Sequence, residues 1–151
     1  MPSSESSRRS VGPDACFLDA NVVMYAAGGA HPLRDPCRAA LQRAVQARAR
    51  LVTDVEVLQE LLHRYFALRR PEVARTVYRS TVELCDEVLS VSEEHTARAL
   101  ELLLEHPRLS PRDALHVAVM ERRGIRRLLS TDRDFDGLAQ IDRVDPALFL
   151  A

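Results

Sequence analysis

The chain has 151 residues, enough for one domain that removes roughly 70% of its unfolded surface from water and builds a core without staples. Its 21 basic and 22 acidic groups leave a formal charge of -1, so no global field draws in nucleic acid or a membrane surface, and charge recognition has to be local. Lysine is absent, which excludes a P-loop, a protein kinase, a Schiff-base enzyme and a phosphate-accepting receiver domain, and no G-x-G-x-x-G fingerprint occurs.

In chain order, the opening "MPSSESSRRSVGPD" (residues 1–14) is rich in Ser and Arg with no apolar h-region, and is expected to be a disordered tail ahead of one domain over residues 15–151. "CFLDANVVMYA" (residues 16–26) then reads as a strand buried on both faces that runs into a short turn or helix. Its single carboxylate, Asp19, costs several kcal/mol if buried without a partner, and neither a cap nor a turn readily explains it. The loop "GGAHPLRDP" leads to a helix from about Pro36, and "RLVTD" (residues 50–54) is a short buried strand. In "TDVEVLQELLHRYFAL", Thr53 and Glu56 fit a capping box, while Val57, Leu58, Leu61, Leu62, Tyr65 and Phe66 form an apolar stripe.

"PEVARTVYRSTVELC" opens with Pro at a first helical position, and "EVLSV" (residues 87–91) follows as a third strand. "SEEHTARALELLLEH" is a helix capped by Ser92, "SPRDALHVAVMERRG" runs from Ser110 to a Gly124 stop, "IRRLLSTD" is a fourth strand, and "RVDPALFLA" adds a last edge strand. Short apolar strands alternating with helices predict an α/β fold: three layers, α/β/α, around a mainly parallel sheet of four to five strands. Cys16, Cys37 and Cys85 lack C-x-x-C spacing and read as core thiols in a reducing compartment. No run approaches the ~18 apolar residues of a membrane span, and a cytoplasmic location is expected.

In open α/β sheets the ligand site lies beyond the carboxyl ends of the strands, and four acids fall there: Asp19, Glu60, Asp113 and Asp132. Each has a plainer explanation. Asp113 fits an "SPRD" capping box, Glu60 has Arg64 four residues on as an ion-pair partner, and Asp132, Asp134 and Asp136 suit a turn. As a set they resist those explanations, because two carboxylates ~5 Å apart repel by roughly 3 kcal/mol at an effective dielectric near 20. Hard oxygen donors without a Cys or His cluster point to Mg²⁺ or Mn²⁺, and such ions support phosphodiester hydrolysis. Second-rank candidates are Asp134, Asn21, and the hydroxyls of Ser130 and Thr131. His116, three residues after Asp113 on an apolar helix, reads as a core residue. Arg34, Arg64, Arg112 and Arg133 lie near the motifs and are candidates for phosphate contacts.

Together these segments resemble a PIN-domain ribonuclease, most closely the VapC-type toxins of toxin–antitoxin pairs. "FLDANV" is similar to that family's opening strand motif, "LQELLHR" to the helix with its second acid, "SPRDALHVAV" to the third motif and "LLSTDRDF" to the fourth; the ordered set spans about residues 16–149. The resemblance implies a Rossmann-like PIN fold, Mg²⁺- or Mn²⁺-dependent RNA cleavage, homodimers, and inhibition by a cognate VapB-type antitoxin. It assigns Asp19, Glu60 and Asp113 to the three core metal-site acids and Asp132 to the more variable fourth. The chain departs at Ala20, where many relatives have Thr or Ser, which leaves Asn21 to orient a ligand or water. A non-catalytic PIN-like RNA- or protein-binding module is the alternative this substitution leaves open. An aspartyl-nucleophile phosphatase fits poorly, because Asn21 replaces its second Asp and no Lys is present.

Overall fold

Only Cys16–Leu18, the first three residues of the long apolar run, form a strand (β1); Asp19 then turns the chain into an α-helix, α1 (Ala20–Ala27). The expected strand is shorter than its apolar run because a helix buried on its inner face needs the same residues. The computed structural model describes residues 14–150, so the expected tail lies, apart from Asp14, outside the described residues. The remaining elements are α2 (Arg34–Gln46), β2 (Leu51–Asp54), α3 (Val55–Ala67), α4 (Pro71–Leu84), β3 (Glu87–Leu89), α5 (Glu93–Glu105), α6 (Pro111–Arg123), β4 (Arg127–Leu129) and β5 (Asp142–Val144).

All strand pairings are parallel, in the order β3-β2-β1-β4-β5. Right-handed crossovers then set the layers: the chain steps from β1 to β2 to β3 in one direction with α1–α4 on one face, and returns to β4 across α5 and α6 on the other. Packing agrees, since α5 lies against α6 while α1 contacts α2, α3 and α4. The result is the three-layer α/β/α arrangement, with five strands among the described residues. Phe17, Leu51, Leu61, Leu89, Leu128 and Phe135 are among the fully buried side chains between the layers. All three cysteines are buried free thiols, and burial raises Cys16 and Cys37 to about 11 and Cys85 to about 12.

Local signals account for most boundaries. Helix α2 starts at Arg34 and so holds Pro36 in its first turn, where no backbone donor is lost. Ser92 caps α5 in a box with His95. Ser110 Oγ accepts from the Asp113 backbone at 3.1 Å, and Gly124, at φ 68°, ends α6 in the left-handed conformation that glycine adopts without steric cost. The cap of α3 differs from the expected one. Asp54 makes it, accepting from the Val57 backbone at 2.9 Å, because Thr53 turns inward and donates to Leu18 O at 2.9 Å. The apolar stripe of α3 is also narrower than expected. Val57, Leu58, Leu61 and Tyr65 are buried, whereas Leu62 and Phe66 are 39% and 60% exposed and line an open groove with Pro71, Ala74 and Tyr78 of α4. The final strand begins at Asp142 and stops at Val144, where Asp145 caps a 3-10 turn over Pro146–Leu148. No helix among the described residues is long and apolar enough to cross a membrane.

Candidate metal and active site

The sheet order reverses between β1 and β4, and the chain ends of those two strands open a crevice of the kind that holds ligands in open α/β sheets. Asp19 enters it from the end of β1, Glu60 from α3, Asp113 and His116 from α6, and Ser130 and Asp132 from the end of β4.

Asp19 is 4% exposed. Contrary to the sequence expectation, a cap does explain part of its placement: Oδ1 accepts from the Ala20 backbone at 2.8 Å. Its other oxygen accepts from Ser130 Oγ at 2.6 Å and Asn21 Nδ2 at 3.1 Å. These partners are neutral. They hold the carboxylate in place without cancelling its charge, so burial raises the Asp19 pKa, helped by Asp132 and opposed by the His116 charge and the hydrogen bonds. Asn21 also donates to Ser130 Oγ at 3.1 Å and accepts from the Thr131 backbone at 3.1 Å, tying the ends of β1 and β4 together. Ser130 and Asn21 are thus positioning groups for Asp19, and Thr131 joins through its backbone N–H.

Glu60 pairs with Arg112 at 3.1 Å and not with Arg64, and Arg112 also reaches Glu56 at 3.4 Å. Burial raises Glu60, with Arg112 opposing and the Asp19 charge adding to the rise. Burial and then the charges of Asp19 and Asp132 raise Asp113 to about 6, against the Ser110 contact and the His116 charge. Asp132 is a turn residue as well as a member of this charge cluster, since its carboxylate accepts from the Asp134 backbone at 2.9 Å and caps the 3-10 turn Arg133–Phe135. Asp134 is exposed and supplies that backbone donor.

His116, read from sequence as a core residue, is fully buried but also reaches the acids. One ligand atom each from Asp19, Glu60 and His116 lie within 4.8 Å of one another, close enough to share one ion. Nδ1 of His116 is 2.7 Å from Asp54 Oδ2, and the ring packs against Phe17 with centroids 5.3 Å apart. Burial alone would lower its pKa; the Asp54 hydrogen bond and charge, with Asp19 and Asp113 beyond, outweigh that and raise it to about 9. Asp54 was not singled out from the sequence. For His116 the available signal was spacing, because residues three apart share a helix face and Asp113 and His116 are such a pair; nothing of that kind marked Asp54.

Of the arginine candidates, Arg112 is paired to the site acids and Arg64 lines a cleft beside Glu60 together with Asn21, Tyr25 and His31, whose rings stack at 4.6 Å. Arg34 pairs with its neighbour Asp35 at 3.3 Å, and Arg133 is exposed on the turn after Asp132. Sequence reasoning also missed Arg143, which grips Asp136 at 2.7 Å and donates to Ser130 O at 3.0 Å, bracing the end of β4.

A family model described as the PIN domain matches residues 16–141. Ribonuclease VapC13 of Mycobacterium tuberculosis is 41% identical over 128 residues, covering 85% of this chain and 98% of that protein. Ribonuclease VapC23 of the same species is 39% identical over 116 residues, covering 77% of this chain and 91% of that protein. The chain belongs to the PIN-domain family and, within it, to the VapC ribonucleases. Two solved structures share the fold at a TM-score of 0.67: M. tuberculosis VapC20, described as a sarcin-ricin loop cleaving toxin, at 19% identity with 83% of this chain and 96% of that one covered, and DNA-bound VapBC of Salmonella typhimurium, at 18% identity with 87% and 98% covered.

Proposed function

We propose that this chain is a metal-dependent endoribonuclease that hydrolyses RNA phosphodiester bonds and acts as the toxin of a toxin–antitoxin pair. The observation that carries the reading is the convergence of Asp19 and Glu60 within one ion's reach, with Asp113 and Asp132 coupled to them by charge. Four acids in one pocket repel, and a divalent cation is the partner that offsets the repulsion. The donors fit such an ion: Asp19 and Glu60 offer carboxylate oxygens, and burial leaves their charge poorly solvated.

In this reading Asp19, Glu60, Asp113 and Asp132 hold Mg²⁺ or Mn²⁺. When bound, such an ion would supply positive charge at the phosphate and lower the pKa of a water. Ser130 and Asn21 keep Asp19 aimed at the pocket through the hydrogen bonds they donate. Arg112 holds Glu60 and, 39% exposed, keeps donors free for a phosphate oxygen. The cleft with Arg64, Tyr25 and His31 offers a cation and stacked rings to the nucleotides beside the scissile bond. One structure of the same fold is described as a toxin–antitoxin complex and another as DNA-bound VapBC, and we carry that to this chain as a VapB-type antitoxin partner; the homodimer is the further expectation of the family resemblance.

The test is cleavage of a structured RNA by the full chain with Mg²⁺ or Mn²⁺. Wild type is expected to cut in the middle of the RNA and to stop in EDTA, and Asp19→Asn, still folded by circular dichroism, is expected to lose at least a hundredfold. Equal cleavage by wild type and Asp19→Asn would overturn the assignment of the site.

A further inference from the structure

His116 carries an atom that the carboxylate cluster does not account for. Its Nε2 is buried and has no hydrogen-bond partner among the described residues, while the residue itself is 0% exposed. Buried polar atoms without partners are uncommon, and those at functional sites often await a ligand. We infer that His116 Nε2 is a nitrogen donor to the divalent ion, and that the site therefore takes Mn²⁺ in preference to Mg²⁺. The inference rests on the metal-dependent reading above and deepens it.

Geometry carries the step. A ring nitrogen of His116 lies within 4.8 Å of ligand oxygens of both Asp19 and Glu60. Nδ1 is taken by Asp54 at 2.7 Å, which leaves Nε2 as the nitrogen with a lone pair to give once its proton has left. Asp54 cannot swing away, because its other oxygen caps α3 through Val57 at 2.9 Å. A carboxylate on the far nitrogen is the arrangement that orients metal-binding imidazoles and raises their donor strength. Phe17 packs against the ring at a tilt of 48°. The ring is therefore held by β1, β2 and α6 at once, and Nε2 is the nitrogen that these contacts leave without a partner. Magnesium favours an all-oxygen, water-rich octahedron, whereas imidazole donors suit first-row transition ions, so one nitrogen among carboxylates tilts the site toward Mn²⁺.

The rival role for the same ring is a fixed imidazolium that balances the acids without touching the ion. Titrating Mn²⁺ into the metal-free full chain separates the two by electron paramagnetic resonance. Loss of the free-ion signal gives affinity, and pulsed spectra report whether a nitrogen is bonded to the bound ion. Wild type is expected to give a directly coordinated nitrogen coupling and to bind Mn²⁺ at least tenfold more tightly than Mg²⁺ in competition. His116→Gln, with its fold checked by circular dichroism, is expected to lose the coupling and narrow that gap; if it does not fold, the wild-type spectrum alone decides. Asp54→Asn is expected to weaken Mn²⁺ binding and retain the coupling, and unchanged affinity would remove Asp54 from its positioning role. Bound Mn²⁺ with no nitrogen coupling overturns the inference and leaves the metal reading standing. No Mn²⁺ bound by wild type at millimolar concentration overturns both.

Discussion

Neutralising Asp113 is expected to stabilise the metal-free fold while abolishing its chemistry. Burial and the neighbouring charges of Asp19 and Asp132 raise this carboxyl from 3.8 to about 6. At about 1.4 kcal/mol per pH unit, holding it ionised costs the folded chain about 3 kcal/mol relative to the unfolded one. The side chain is partly exposed, so screening reduces that figure, and a gain of about 1–3 kcal/mol is expected for Asp113→Asn at pH 7.5. The sign follows from proton uptake. The folded chain binds this proton more tightly than the unfolded chain, so wild-type stability falls as pH rises from about 4 to about 6 and stays low above that window. Below it both states are protonated and the advantage of the variant disappears. The cap of α6 survives the substitution, because Ser110 bonds the Asp113 backbone at 3.1 Å. Urea unfolding in EDTA at pH 7.5 and pH 4 measures both quantities. A variant less stable than wild type at pH 7.5, or a gain unchanged at pH 4, would refute the repulsion argument and return Asp113 to a structural role.

Two further outcomes follow from the same site. Added Mn²⁺ is expected to raise the melting temperature of wild type by several degrees and to leave Asp19→Asn unmoved, in line with a stabilisation of about 2.7 kcal/mol at a hundredfold excess over the dissociation constant; an equal rise in both would place the ion elsewhere. Tyr25→Ala removes one ring of the stack beside Glu60 and is expected to raise KM for RNA about tenfold, from about 1–3 kcal/mol of lost base stacking, with a small change in kcat. Steady-state kinetics on a short RNA decides this, and an unchanged KM would take the nucleotide out of that cleft.

The alternation of short apolar strands with capped helices was legible because each element's period and its terminators agreed, as at Ser110 and Gly124 of α6 and Ser92 of α5. The approach of Asp19 to Glu60 was legible because the carboxyl ends of parallel strands share one edge, and one oxygen of each lies within 4.8 Å of the other. Three features were not. The end of β1 was hidden because Val22 and Val23 are buried as helix residues just as they would be in a strand. The outward turn of Leu62 and Phe66 depends on how far α4 covers α3, which periodicity within one helix does not record. His116 was hidden by its own burial, since an imidazole packed on Phe17 has the same sequence pattern as any core side chain until Asp54, 62 positions away, is seen to hold it.

The central claim is that distant acids converge on one divalent ion, and crystals grown with Mn²⁺ test it through the anomalous scattering of the metal. The account predicts a peak between Asp19 and Glu60, on the side open to Asp113. A chain that cleaves RNA while its Mn²⁺ sits at some other place on the surface would contradict it.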